Sequence, residues 1–206
     1  MEPRIIVGVS GASGTILAYK TIIALAERGF AIDLVISSSA LYTAKVEMGD
    51  QFATARRFVE QLPVEVQLHG INDVGSGIAS GSYPAQAMVI TPCSMATIAA
   101  VAHGLGDNCL RRAADVTLKE RRPLIIVPRE TPLSAIHLEN MLALTKVGAT
   151  IVPPVPAWYT HPTSLSDVED FIVGKTLDAL KIAHDIYPRW KSPNALQENH
   201  AYNRLN

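Results

Sequence analysis

Arg4-Ile5-Ile6-Val7-Gly8-Val9-Ser10-Gly11-Ala12-Ser13-Gly14, running straight into Thr15 to Arg28, is the stretch from which the fold follows. Ile5, Ile6, Val7 and Val9 form an almost unbroken apolar run, the pattern of a strand covered on both faces. Gly11 and Gly14 carry no Cβ, so the backbone can turn sharply and approach a neighbour closely. Ile16, Leu17, Tyr19, Ile22, Ile23, Leu25 and Ala26 then recur with helical spacing, and Gly29 stops the helix. The N-terminus of such a helix offers unpaired N–H groups and a partial positive charge, which suit a phosphate. Glycines at 8, 11 and 14 match neither G-x-G-x-x-G nor G-x-x-x-x-G-K-[ST]. A tight turn that binds nothing therefore competes with a phosphate seat, and the Ser-Gly-Ala-Ser-Gly composition favours the seat.

Outward from this unit, strands are expected at 31–37, 64–68, 86–91, 124–128 and 149–152. Helices are expected at 40–48 (capped by Ser38 or Ser39), 51–62, 95–103, 108–122 and 134–147, with a last one at 166–185 capped by Ser166. The Gly- and Ser-rich stretch 70–83 reads as the loosest part, and so long a loop in a compact domain is more often functional than not. Alternating strands and helices, with most strands apolar throughout, predict one α/β domain with a doubly wound parallel sheet in three layers. Ligands of such sheets sit beyond the carboxyl ends of the strands. That rule gathers the turn at 11–14, Ser37, Ser94 to Thr97 and Arg129 as site candidates.

A chain of 206 residues with a formal net charge of −1 fits one domain and has no overall field drawing it to nucleic acid or an anionic membrane. Cys93 and Cys109 form no C-x-x-C, so a reducing, cytoplasmic compartment is expected. No leader is expected from Met1-Glu2-Pro3, and no apolar run approaches the roughly 20 residues that span a bilayer. The six histidines lack metal-ligand spacing, so no metal is expected. Six of the eighteen Lys and Arg fall between 111 and 129. Arg112 and Lys119, seven apart, share a helix face about 10 Å apart along the axis. They read equally as a phosphate clamp, with Arg129 added, or as a solvated face. Glu47, late in a helix, could transfer protons if it faces the ligand end of the sheet.

The blocks Gly11-Ala12-Ser13-Gly14, Pro92-Cys93-Ser94, Leu118-Lys119-Glu120-Arg121-Arg122-Pro123 and Val127-Pro128-Arg129-Glu130-Thr131-Pro132-Leu133 go further. Together with Pro153-Pro154-Val155-Pro156-Ala157, Tyr159 and Pro188-Arg189-Trp190, they closely resemble the UbiX-type flavin prenyltransferases over about residues 4–190. The resemblance implies a flavodoxin-like (Rossmann-like) fold, with residues 1–190 as one flavin-binding domain; residues 191–206 lie beyond it and read from their composition as a polar tail. It implies FMN as cofactor and acceptor, and transfer of a dimethylallyl group from dimethylallyl monophosphate to N5 and C6 of reduced FMN. The product, prenylated FMN, would pass to a UbiD-type decarboxylase, and the assembly would be a homododecamer.

Carried over residue by residue, the FMN site is Gly11, Ala12, Ser13, Ser37, Ser94, Met95, Ala96, Thr97 and Arg129. The prenyl phosphate falls to Tyr159 and Lys175, with Arg112 and Lys119 nearby. Glu47 is the implied acid/base, assisted by Ser13. Many relatives carry Arg where Lys175 stands, so that contact is a point charge here. A flavin-dependent cysteinyl decarboxylase of the same fold is the first rival, opposed by Pro92-Cys93-Ser94-Met95-Ala96-Thr97 where that family carries Pro-Ala-Ser-Ala-Asn-Thr. A non-catalytic FMN carrier is the second, opposed by Glu47, Lys119 and Lys175, since an electron shuttle needs no second phosphate site.

Overall fold

Six strands build one parallel sheet in a computed structural model that describes residues 2–190. They are β1 (Arg4–Val9), β2 (Ala31–Ile36), β3 (Gln67–His69), β4 (Ala87–Cys93), β5 (Leu124–Pro128) and β6 (Thr150–Ile151), in the order β3-β2-β1-β4-β5-β6. The order reverses between β1 and β4. It is the Rossmann order, and without the short edge strand β3 it becomes the flavodoxin order.

Alternate residues of each strand serve two cores, as a period of two dictates. Ile5, Val7, Leu34, Val89 and Ile125 pack against α1 (Thr15–Ala26), α2 (Ser38–Met48), α3 (Ala55–Glu60) and α7 (Leu165–Ala179). Ile6, Val35, Met88, Ile90 and Ile126 pack against α4 (Met95–Ala102), α5 (Cys109–Lys119) and α6 (Ala135–Lys146). All seven residues of β4 are buried, which accounts for its apolar run from Ala87 to Ile90. Among the described residues no helix is long and apolar enough to cross a membrane.

Several expected boundaries move, each for a local reason. The helix expected from 40 begins at Ser38, because the Ser37 hydroxyl accepts from the Ala40 N–H (3.1 Å) and makes Ser37 the cap. The segment 51–62 splits into a 3₁₀ turn (Asp50–Phe52) and α3, because Thr54 Oγ1 accepts from the Arg57 N–H (3.2 Å) and starts a new helix. Ser164, not Ser166, caps the last helix: its hydroxyl accepts from the Asp167 N–H (3.2 Å), and Asp167 Oδ2 accepts from the Ser164 N–H (2.9 Å). That helix ends at Ala179 rather than 185, with Lys181 in left-handed backbone at φ 62°. The strand expected at 64–68 pairs only over Gln67–His69, where it meets Asp33 to Val35 of β2.

The stretch 70–83 is tied down rather than loose. Ile78 and Ala79 are buried in a 3₁₀ turn. Buried Asp33 Oδ1 accepts from Arg4 Nη1 (3.1 Å) and the Tyr83 hydroxyl (2.9 Å), while His69 bridges Asp33 (2.7 Å) and Ser76 (2.6 Å). Asp33 sits in an otherwise apolar strand because this network needs its carboxylate.

On the other face, Tyr19 of α1, Phe52 and Phe58 meet edge to face at centroid separations of 5.5–6.3 Å. This cluster anchors the end of α2 to α1. Phe58→Ala is expected to destabilise the protein by about 3–5 kcal/mol, the range for deleting a buried aromatic ring, as read from urea unfolding; a loss below about 1 kcal/mol would refute the anchor.

Candidate active site

The turn after β1 enters α1 through Gly14, whose φ of +101° is open to glycine at no steric cost. Gly11 has a different reason. A Cβ there would lie 2.3 Å from Ser39 Oγ and 2.5 Å from Ser39 Cβ. The close approach at Gly11 is therefore to the first turn of α2, and a larger residue would clash with Ser39.

The anion at the N-terminus of α1 belongs to the chain itself. Glu47, in the last turn of α2, accepts from the Gly14 N–H (3.0 Å) and the Thr15 N–H (2.9 Å). This corrects the expectation of a phosphate seat there, since the orphan donors already hold a carboxylate. Burial works against the charged form of Glu47. The Ser13 hydroxyl and the N–H groups of Thr15 and Gly14 outweigh it and hold the carboxyl below the usual glutamate range. Ser13 and Glu47, thirty-four residues apart in the chain, form one unit.

Across the switch point, α4 begins with Ser94 as cap. The Ser94 hydroxyl accepts from the Thr97 N–H (3.3 Å) and donates to Thr97 Oγ1 (3.1 Å), while the Ser94 N–H donates to Ser10 Oγ (2.8 Å). The first turn of α4 separates two cavities. One, of about 260 Å³, is lined by Ser37, Ser39, Ser94, Thr97, Asn108 and Arg111, with Ala96 also on its wall. The other, of about 360 Å³, is lined by Met95, Arg129, Leu133, Pro153, Pro154 and Val155. Ala12 is buried behind the turn.

Tyr159 packs edge-on to Phe171 (6.2 Å) and Trp190 (5.1 Å), and Lys175 follows Phe171 by one turn of α7. Phe171 and Lys175 line a recess with Pro153, which also walls the Arg129 cavity. Tyr159 and Lys175 thus share one locality beside Arg129. The Lys175 ammonium donates to Asp178 (3.3 Å), which also accepts from the Tyr187 hydroxyl (2.5 Å) and Arg189 (2.7 Å). Burial opposes the Asp178 charge, but these donors pull its pKa far down; burial and the Asp178 carboxylate push the Tyr187 phenol up to about 12. Sequence reading missed this cluster, although Asp178 at i+3 from Lys175 was a visible pairing signal.

Arg112 and Lys119 do not meet. Helix α5 runs back along the sheet, so Arg112 lies near its start, paired with Asp115 (2.5 Å). Lys119 lies at the other end, paired with Glu120 and beside Gly81. Within one chain, Lys119 is at the amino end of the sheet, away from Tyr159 and Lys175. Among the described residues no group of His, Cys, Asp or Glu side chains is gathered as for a metal ion.

The Glu47 contact carries a pH dependence. Its folded pKa is depressed, so its contribution to stability is full above the unfolded value of about 4.3 and disappears as pH falls through the folded value. Glu47→Gln is expected to lower the melting temperature at neutral pH, and the gap from wild type should close as the pH falls through the depressed pKa of the carboxyl. A gap independent of pH in thermal melts would show that the carboxylate does not hold α1.

The Flavoprotein family model matches residues 1–177. A flavin prenyltransferase UbiX of Chlamydia pneumoniae is 50% identical over 190 residues, 92% of this chain and 98% of that protein. A crystal structure of a UbiX protein in complex with FMN and dimethylallyl pyrophosphate superposes with a TM-score of 0.86 at 41% identity, covering 93% of this chain and 98% of the other. A dodecameric FMN-dependent UbiX-like decarboxylase from Escherichia coli O157:H7 gives a TM-score of 0.84 at 40% identity, covering 91% and 99%. With that identity along nearly the whole length, and the same sheet beneath it, the chain belongs to the UbiX-type flavin prenyltransferase family.

Proposed function

We propose that this protein transfers a dimethylallyl group from its phosphate ester to reduced FMN, making prenylated FMN for a UbiD-type decarboxylase in the cytoplasm. The observation that carries this reading is the pairing of a carboxylate poised on α1 with a second cationic locality beside the same cleft. A flavin needs both apolar and polar walls, and the two cavities around α4 supply them. Met95, Leu133, Pro153 and Val155 suit a ring, with Arg129 at its rim, and the hydroxyls of Ser37, Ser94 and Thr97 suit a polar tail. Gly11, Ala12, Ser13 and Ala96 complete the cradle. Reduced FMN held there would supply the nucleophilic N5 and C6 as acceptor of the five-carbon group.

The chain's residues then divide the work. Tyr159 and Lys175 hold the phosphate of the prenyl donor, and their hydrogen bonding and charge stabilise it as the allylic C–O bond breaks, with no metal. Glu47, ionised at neutral pH, takes the proton lost from the acceptor nitrogen, with the Ser13 hydroxyl beside it as relay. The apolar wall excludes water from the allylic cation character. The Escherichia coli relative is described as a decarboxylase; for this chain, carbon dioxide release belongs to the partner enzyme.

Assembly fits the same reading. Tyr42 and Val46 on α2, Ile136 and Leu142 on α6, and Trp158 are exposed apolar side chains of a kind that subunit contacts cover. A homododecamer would bury them, and a neighbour could bring Arg112 or Lys119 to the prenyl-phosphate site.

The test is anaerobic incubation with reduced FMN and dimethylallyl monophosphate, followed by mass analysis of the flavin. The product should be heavier by one C5H8 unit, and Glu47→Gln should lower single-turnover prenylation by about 10²–10⁴-fold while FMN still binds. An unmodified flavin after many turnover times would end the proposal. Mixing Lys119→Ala with Lys175→Ala subunits should restore part of the activity if the two act across an interface. No rescue in well-mixed oligomers would remove Lys119 from the site.

A further inference from the structure

We infer that Arg111 is the cation that binds the phosphate of FMN, in the cavity where the starts of α2, α4 and α5 converge. The inference rests on the flavin reading above and concerns where within that site the phosphate lies. The turn over residues 11–14 is the first place to look, but the α1 N-terminus there already holds the Glu47 carboxylate at 2.9–3.0 Å. A phosphate dianion beside it would meet a like charge within a few ångströms.

The 260 Å³ cavity on the other side of Ser37 has the opposite character. Ser37 caps α2, Ser94 caps α4 and Asn108 caps α5, and all three residues line it. Each of these helices directs a positive end toward the same space. Arg111 lines the cavity as well, from the first turn of α5, where Asn108 Oδ1 accepts from its backbone N–H (3.0 Å). Its guanidinium uses Nη1 on the exposed carboxylate of Asp107 (2.8 Å). Asp107 stands just ahead of α5 with its side chain 63% exposed, and it engages only one nitrogen of the Arg111 guanidinium, which leaves the rest of the fork to a more strongly charged acceptor. The residues lining the cavity include no carboxylate; Asp107 reaches Arg111 from outside that lining and, being largely exposed, would turn to solvent as the phosphate takes its place. Leu110 and Ile71 add apolar wall to the same cavity.

This arrangement separates the two anions the site must hold. Glu47 sits on the α1 side of the first strand turn, where proton transfer is needed. The FMN phosphate sits on the α5 side, held by Arg111 and the hydroxyls of Ser37, Ser94 and Thr97.

The experiment compares titrations of FMN and of riboflavin, which lacks the phosphate, on wild type, Arg111→Gln and Arg111→Lys. Gln and Lys are both good helix formers, so α5 should persist, and circular dichroism melts check it. Wild type should prefer FMN. Arg111→Gln should weaken FMN by about tenfold or more, with riboflavin affinity changed less than about twofold, and Arg111→Lys should be intermediate. Unchanged FMN affinity, or equal losses for FMN and riboflavin, would overturn the assignment. Wild type binding neither flavin would instead sink the flavin reading itself, and this shows before any variant is made.

Discussion

The contact between Glu47 and the N-terminus of α1 is the constraint on which the rest of the site depends. It joins the last turn of α2 to the turn after β1, and those elements come from the two strands flanking the switch point on one side. Two physical needs are met at once. The orphan N–H groups of α1 find acceptors, and a carboxylate is fixed in its charged form beside Ser13. Because the donors are backbone groups, the carboxylate's position is set by the fold rather than by a flexible partner. Gly11 follows from the same constraint: α2 must start close enough for its far end to reach Gly14, and only the absence of a Cβ leaves room for Ser39.

The carboxyl edge repeats one device several times. Ser37, Ser94 and Asn108 each stop a strand or loop and start a helix by accepting a backbone N–H. Each of these three caps also brings a polar group to the cavity beside α4, so residues that start helices also line that cavity. A parallel sheet covered on both faces leaves its strand ends as the open place for such groups. On the α7 side, Asp178 plays a comparable part for cations. It gathers Lys175, Arg189 and the Tyr187 phenol beside the recess that Tyr159 adjoins.

The separation of Arg112 from Lys119 limits what pattern reading can deliver. On a helical wheel they share a face, and that is correct. A helix seven residues long still covers about 10 Å, and α5 runs antiparallel to the strands it covers. The pair is therefore spread from the ligand end of the sheet toward its opposite end. Arg111, one position earlier, reaches the cavity instead, a distinction of about 100° around the axis that depends on how α5 is rolled against β4.

By itself the sequence determined the layered architecture, the parallel sheet and the strand-end location of the cleft. Strand burial on two faces, helical spacing and glycine stops are local properties, written in consecutive residues such as Ile5 to Val9 and Ile16 to Ala26. It also marked Ser37, Ser94 and Arg129 as strand-end groups, and its motif blocks pointed to the family. Tertiary structure alone decided which anion occupies α1, because the partner of Gly14 and Thr15 lies more than thirty residues away on another helix. It decided that 70–83 is fastened, because Asp33, His69, Ser76 and Tyr83 meet only when β2 and β3 pair and the chain returns. Hydrogen-bond partners distant in the chain leave no periodic trace, so the site's charges became assignable only when the fold brought them together.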